Sequence, residues 1–319
     1  MIVIERQQIH VEHELVAAIE LLPTQTPEDD ARKFIAEPYL SPSQIKAYGY
    51  CSASYMLKYH PDYKIKEPLC SRIVFGNAEH KIAQSYGYDG LTGDNDNLRI
   101  RRQIAIDRGL AVLDSEIPKI KVWNPAWNRG PADNPDYMRT NLLSIAEQMF
   151  PLLDEQQPVA IEQGFVIRWR DPRVLPVLSF ADRIARTTDG NYAAEDVKTG
   201  ARAKSPKDVI YDIALMAYGP AFELATGLPV RTVAHLYGVR TSPEPSTRRK
   251  NPTVARVSVP SNRGALRRLY VVAKSLTSAI AGGAFLPIPD PQRCGGCGYA
   301  LACNENFGEL GIALEDEAA

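Results

Sequence analysis

The chain has little of several things, and each shortage excludes something. No apolar run approaches the ~20 residues that a membrane-crossing helix needs. The N-terminus also lacks the charged-then-apolar pattern of a secretory signal, so a cytoplasmic protein with no membrane partner is expected. Net charge is only -1 at pH 7, which by itself carries no nucleic-acid signature. Cysteine is sparse: five residues, an odd number in a chain with no secretory signal. That argues against a disulfide framework and for metal ligation or free thiols. No internal repeat or low-complexity tract is present, so solenoid and fibrous architectures drop out. Charged residues at 24% and apolar residues at 45% are ordinary and exclude global disorder. The 319 residues suffice for one large domain or two.

What is present reads as alternating elements. Residues 1–5 (MIVIE) predict a strand and 13–22 (HELVAAIELL) a helix, broken by Pro23, Pro27 and the acidic run Glu28-Asp29-Asp30. Residues 40–60 predict one helix, with Ser41 as cap and Pro42 in its first turn. A helix over 74–87 has Gly76 four positions before His80, which could be a ligand projecting into a cleft or a hydrogen-bonded surface residue. Residues 88–135 are rich in Asp, Asn, Gly and Pro around a short helix near 100–113, as in an insertion or lid. Trp123 and Trp127, flanked by Lys119, Lys121 and Arg129, could stack bases or pack the insertion on the core. A helix follows over 137–153, then a strand over 158–170, a hairpin, and a helix over 206–226 ended by Gly227. Strands over 230–237 and 253–259 and a basic amphipathic helix over 262–280 complete the series. This order predicts an α/β fold with a central mixed sheet. Arg240, Arg248, Arg249, Lys250, Arg256, Arg263, Arg267, Arg268 and Lys274 cluster before an acidic end, giving either a phosphate-binding surface or a solvated face.

Two stretches carry chemistry. In Ser179–Gly200, two strands meet at Thr188-Asp189-Gly190-Asn191. Asp182 lies on the first strand; Asp196 and Lys198, two apart on the second, leave the same face. Two carboxylates aimed at one point repel unless a cation sits between them, and such oxygen-rich sites suit Mg²⁺ or Mn²⁺. A surface hairpin with solvated charges is the alternative. The second stretch is C-x2-C-x5-C, Cys294, Cys297 and Cys303, in a Gly- and Pro-rich loop. Such a loop lets several thiolates converge on a metal, zinc or iron–sulfur, with the fourth ligand from Cys51 or Cys70.

Five features stand in one order: a cysteine in a Tyr-rich helix (YGYCSASYMLKY), G-x-x-x-H at Gly76 and His80, FADRI, DVKTG, and C-x2-C-x5-C. This set resembles the RecB-like branch of the PD-(D/E)XK nuclease superfamily, within it the iron–sulfur exonucleases related to the CRISPR-associated four-cysteine nucleases and the AddB nuclease domain. The resemblance implies a restriction-endonuclease-like core over 40–307, with an insertion at 88–135 and a cluster-binding segment at 290–307. It leaves a 1–39 arm before the core and a 308–319 acidic tail after it. It further implies that His80, Asp182, Asp196 and the backbone carbonyl of Val197 hold Mg²⁺ or Mn²⁺. Lys198 would orient or help deprotonate the attacking water, and Cys51, Cys294, Cys297 and Cys303 would hold a 4Fe-4S cluster, leaving Cys70 over. Glu162 and Glu195 stand as auxiliary acids, with Glu195 expected on the face opposite Asp196. Tyr218 fits a family tyrosine on the next helix, but the glutamine four residues before it is Ala214 here. The implied activity is exonucleolytic hydrolysis of DNA, single-stranded or end-containing duplex, in recombination, repair or end processing, with helicase, recombinase or CRISPR adaptation proteins as partners. A catalytically silent iron–sulfur DNA-binding scaffold is the alternative.

Overall fold

The computed structural model describes residues 7–11, 13–22, 37–93, 97–121, 134–240, 252–290, 294 and 297–308. The expected strand over 1–5, Trp123, Trp127, the run Arg248-Arg249-Lys250 and most of the acidic tail lie outside them. Among the described residues no helix is long and apolar enough to cross a membrane.

The centre is a seven-stranded mixed sheet whose spatial order equals its chain order. Its strands are β1 (Gln7–His10), β2 (Val16–Leu21), β3 (Gln157–Trp169), β4 (Val177–Arg186), β5 (Tyr192–Gly200), β6 (Val230–Val239) and β7 (Thr253–Pro260). All neighbours are antiparallel except β5 and β6. A parallel pair requires a crossover, and α6 (Pro206–Val209) with α7 (Ile213–Thr226) supplies it. The β4–β5 turn closes with Gly190 at φ 81°, a conformation glycine adopts without steric cost.

Helices cover both faces. On one, α7, α8 (Ala265–Ala281) and α1 (Pro42–Tyr50) bury Phe222, Leu269 and Ile45 against the strands. On the other, α3 (Ser71–Thr92), α4 (Leu98–Glu116) and α5 (Pro135–Asp154) bury Phe75, Leu113 and Phe150 over Val197 and Leu236. Short α2 (Ser52–Tyr59) and α9 (Ala300–Phe307) meet beside the cysteines.

Four expectations are corrected. The helix expected over 13–22 is strand β2, paired with β1 and β3. VAAIEL is nearly all buried, and a short apolar run reads equally as buried helix or buried strand until its neighbours are known. The single helix over 40–60 breaks at Cys51, whose backbone is extended (φ -162°, ψ 114°). There Ser52 Oγ donates to the carbonyl of Leu286 and accepts its N–H, both at 2.8 Å. The helix over 206–226 breaks at Asp212, which caps α7 by accepting the N–H of Ala214 at 2.9 Å. Among the described residues, the late basic positions turn to separate partners and form no single surface. Arg240 stacks on Phe75, Arg256 reaches Glu195, Arg263 pairs with Glu223, Arg268 lies over Tyr211 and Lys274 faces Asp171.

Candidate active site

Strand register brings the site together. Ile161 pairs with Arg183 and Gln163 with Ala181, which sets Glu162 opposite Asp182. Arg183 pairs with Glu195, so Asp182 and Asp196 are the next rung, and Asp196 pairs with His235. One rung across four strands therefore reads Glu162, Asp182, Asp196, His235. Lys198 and Tyr237 form the next rung on that face.

The ladder between β4 and β5 stops at Arg183–Glu195, and beyond it the Asp182 carboxylate accepts the Val197 N–H at 2.6 Å. A side chain has replaced the ladder there, which opens the sheet at the acids. Through that opening α3 presents His80, whose Nδ1 lies 3.4 Å from Asp182 Oδ2. On β3, Glu162 is the one non-glycine residue with positive φ (49°) among the described residues. Such strain persists where surroundings over-determine it and often marks a functional position.

Asp196 is 3% exposed. Tyr218 on α7 donates to its Oδ1 at 3.1 Å, and the Lys198 ammonium pairs with Oδ2. His235 Nε2 stands 3.5 Å from the same Oδ2 and 3.6 Å from Asp212 Oδ2, while its Nδ1 bonds the Tyr237 hydroxyl at 2.8 Å. Asp212 in turn pairs with Lys46 of α1 at 2.9 Å.

The electrostatics follow from crowding. Burial, then Asp182 and Asp196, push Glu162 well above the usual carboxylate range. Asp182 rises through burial and Asp196, opposed by His80. Burial works against the charge of Lys198, but Asp196 and Asp182 outweigh it and hold the ammonium protonated. Desolvation lowers His235 to about 4, so it is neutral. Tyr218 is raised by burial and by Asp196 and stays a hydroxyl donor.

Carboxylates from three neighbouring strands, one histidine and one fixed lysine are the donor set of a hard-cation hydrolytic site. The sequence from Tyr39 to Asn304 matches the PD-(D/E)XK nuclease superfamily. The chain belongs to that superfamily. Its mixed sheet between helical layers is the restriction-endonuclease-like α/β core, and a nuclease of this superfamily acts on nucleic acid with divalent metals. No curated protein matches the chain. Among solved structures, the crystal structure of SSO0001 is similar at 10% identity, covering 82% of this chain and 94% of that one, with a TM-score of 0.27.

In this nuclease, Glu195 faces away from Asp196 and is tied to Arg183 and Arg256, each at 2.7 Å. Ala214 is buried at the first turn of α7 and offers no polar group. Cys51, Cys294, Cys297 and Cys303 line one hollow of ≈ 530 Å³ together with Leu57, Pro287 and Tyr299. Burial pushes the Cys297 and Cys303 thiols up, and Cys51 and Cys294 add to it. Cys70 sits at the start of α3 and does not line that hollow. All five cysteines are free. Among the described residues, no three His, Cys, Asp or Glu form a ready-made site for a metal ion.

Sequence reasoning missed His235, Tyr237, Asp212 and Lys46. The H-x-Y spacing on a strand was the available signal for the first two, since alternate residues share a face.

Proposed function

We propose that this nuclease is a divalent-metal-dependent deoxyribonuclease of the RecB-like branch that removes nucleotides from DNA ends. One observation carries the reading: Glu162, Asp182 and Asp196 crowd one rung of adjacent strands with fewer cations than carboxylates around them. Asp182, Asp196, His80 and the Val197 carbonyl would hold Mg²⁺ or Mn²⁺, and the fit rests on the donor set itself: oxygen-rich carboxylates of adjacent strands beside His80, with the Lys198 ammonium alone fixed among them. When bound, such an ion lowers the pKa of a water and offsets charge on the scissile phosphate. Tyr218 fixes the orientation of the Asp196 carboxylate, and neutral His235 backs it without competing for its charge. Lys198, held beside Asp196, would orient or help deprotonate the attacking water and offset charge building on the phosphate.

Four free thiols lining one largely apolar hollow are the ligand set a 4Fe-4S cluster would need, and the cluster belongs to this proposal. The cluster would tie α2 to the C-terminal segment. Processing of ends in recombination, repair or spacer acquisition, beside a helicase, recombinase or CRISPR adaptation protein, accords with such a site.

The test is digestion of end-labelled single- and double-stranded DNA with Mg²⁺ or Mn²⁺. Asp196→Ala and Lys198→Ala are expected to fold, yet to lose about 10³-fold in rate, since several kcal/mol of charge stabilisation go with them. Wild-type-like cleavage by either variant would defeat the assignment. DNA binding without cleavage by the wild type would leave a silent scaffold. Anaerobically purified protein should be brown, with iron and sulfide in equal amounts; a colourless zinc protein would remove the cluster.

A further inference from the structure

We propose that the exposed face of α3 is the track along which one strand of the nucleic acid approaches the acids, with Arg72 and Lys81 on its phosphates. The proposal rests on the hydrolytic reading and deepens it by naming where the substrate lies. A groove of ≈ 1340 Å³ runs along this helix, lined by Arg72, Asn77, His80, Lys81, Gln84 and Thr199. With an advance of about 100° per residue, positions 72, 76, 80 and 84 with 73, 77 and 81 cover the exposed half of the helix, Arg72 at one margin and Lys81 at the other. At a rise of 1.5 Å per residue this face is ~18 Å long, with its two cations ~13 Å apart along the axis and on opposite margins. A single backbone laid along the face would pass between them.

Three observations favour nucleic acid as the occupant. First, no carboxylate lines the groove, and the nearest acid of the site, Asp182, is reached through His80. A polyanion would thus meet cations along the approach and acids only at the point of chemistry. Second, the groove shares His80 with the site, its Nδ1 3.4 Å from Asp182 Oδ2. Third, the floor is low at Gly76, where an added Cβ would already touch Thr199 Oγ1 at 3.7 Å. Asn77 and Gln84 add amides that can donate and accept, as sugars and base edges require.

The experiment measures binding of a fluorescein-labelled single-stranded oligonucleotide by anisotropy across a salt series in EDTA, so that no strand is cut. Each phosphate contact on a single strand contributes ~0.7 to the salt slope. Arg72→Gln/Lys81→Gln is expected to reduce the slope by ~1.4. Arg72→Gln alone, at an exposed position, should reduce it by ~0.7 and settles the matter if the double variant folds poorly. Arg267→Gln/Lys274→Gln on α8 should leave the slope unchanged. An unchanged slope in the α3 variants, an equal loss in the α8 control, or a loss seen with a blunt hairpin duplex and not with the single strand would each overturn the track. If Asp196→Ala abolishes cleavage while the α3 variants bind normally, the track fails and the hydrolytic reading stands. If Asp196→Ala cleaves normally, the reverse separation is read from the same salt series.

Discussion

Two buried charge clusters sit back to back on the same strands, one residue out of step. On the α5 side, Arg183 and Glu195 are 4% and 1% exposed, and Arg256 and Glu155 join them. Positive and negative groups there match in number, and Arg183 also donates to the Leu153 carbonyl at 2.7 Å. On the other side, Glu162, Asp182 and Asp196 share the rung with one fixed ammonium; Asp182 and Asp196 add to the rise of Glu162, and Asp196 adds to that of Asp182. The alternation of a strand sends neighbouring residues to opposite environments. A carboxylate matched by a guanidinium supports the fold; one held near other carboxylates stays reactive toward a cation. The contrast teaches that the excess of charge, and not burial alone, separates the two roles.

The largest test of that contrast is Glu195→Ala. It strands Arg183 and Arg256 facing each other and should cost about 3–5 kcal/mol in urea unfolding, the usual result of halving a buried pair. A loss below 1 kcal/mol would dissolve the comparison. Next in size, Mg²⁺ or Mn²⁺ should raise the thermal midpoint of the wild type, by about 2.7 kcal/mol of stabilisation at a hundredfold excess over Kd. Asp182→Asn should abolish that shift, while Glu195→Gln keeps it in whatever fraction folds. The smallest effect concerns Lys46. Its partner Asp212 is held below its usual value of 3.8 by Lys46, against the opposing effect of burial. The pair's contribution is therefore full above about pH 4 and is lost as pH falls through the lower folded value. Lys46→Met should cost about 1–2 kcal/mol at pH 7, because Lys46 is half exposed, and much less at pH 3 in matched melts.

The order of elements was legible because most are long and periodic, and the acids and lysine of the hairpin were legible because alternation fixes which side chains share a face. What stayed hidden depends on partners far along the chain. Cys51 breaks its helix because Leu286 bonds there, 234 residues away. β2 is a strand because β1 and β3 flank it. His235 joins the acids through the parallel register of β5 and β6, which no local pattern specifies. The late basic residues stayed open between a phosphate-binding surface and a solvated face because charge in a sequence carries no direction. In space, Arg256 and Arg240 turn inward to Glu195 and Phe75.

The break at Cys51 has a mechanical consequence. Helix α1 ends at that thiol, carries Lys46 one turn earlier, and through Lys46 grips the residue that starts α7. Helix α7 then places the phenol that steadies Asp196. Disturbance at the sulfur end, such as oxidation, would reach the Asp196 carboxylate along two helices joined by one ionic hinge, while the sheet itself remained intact.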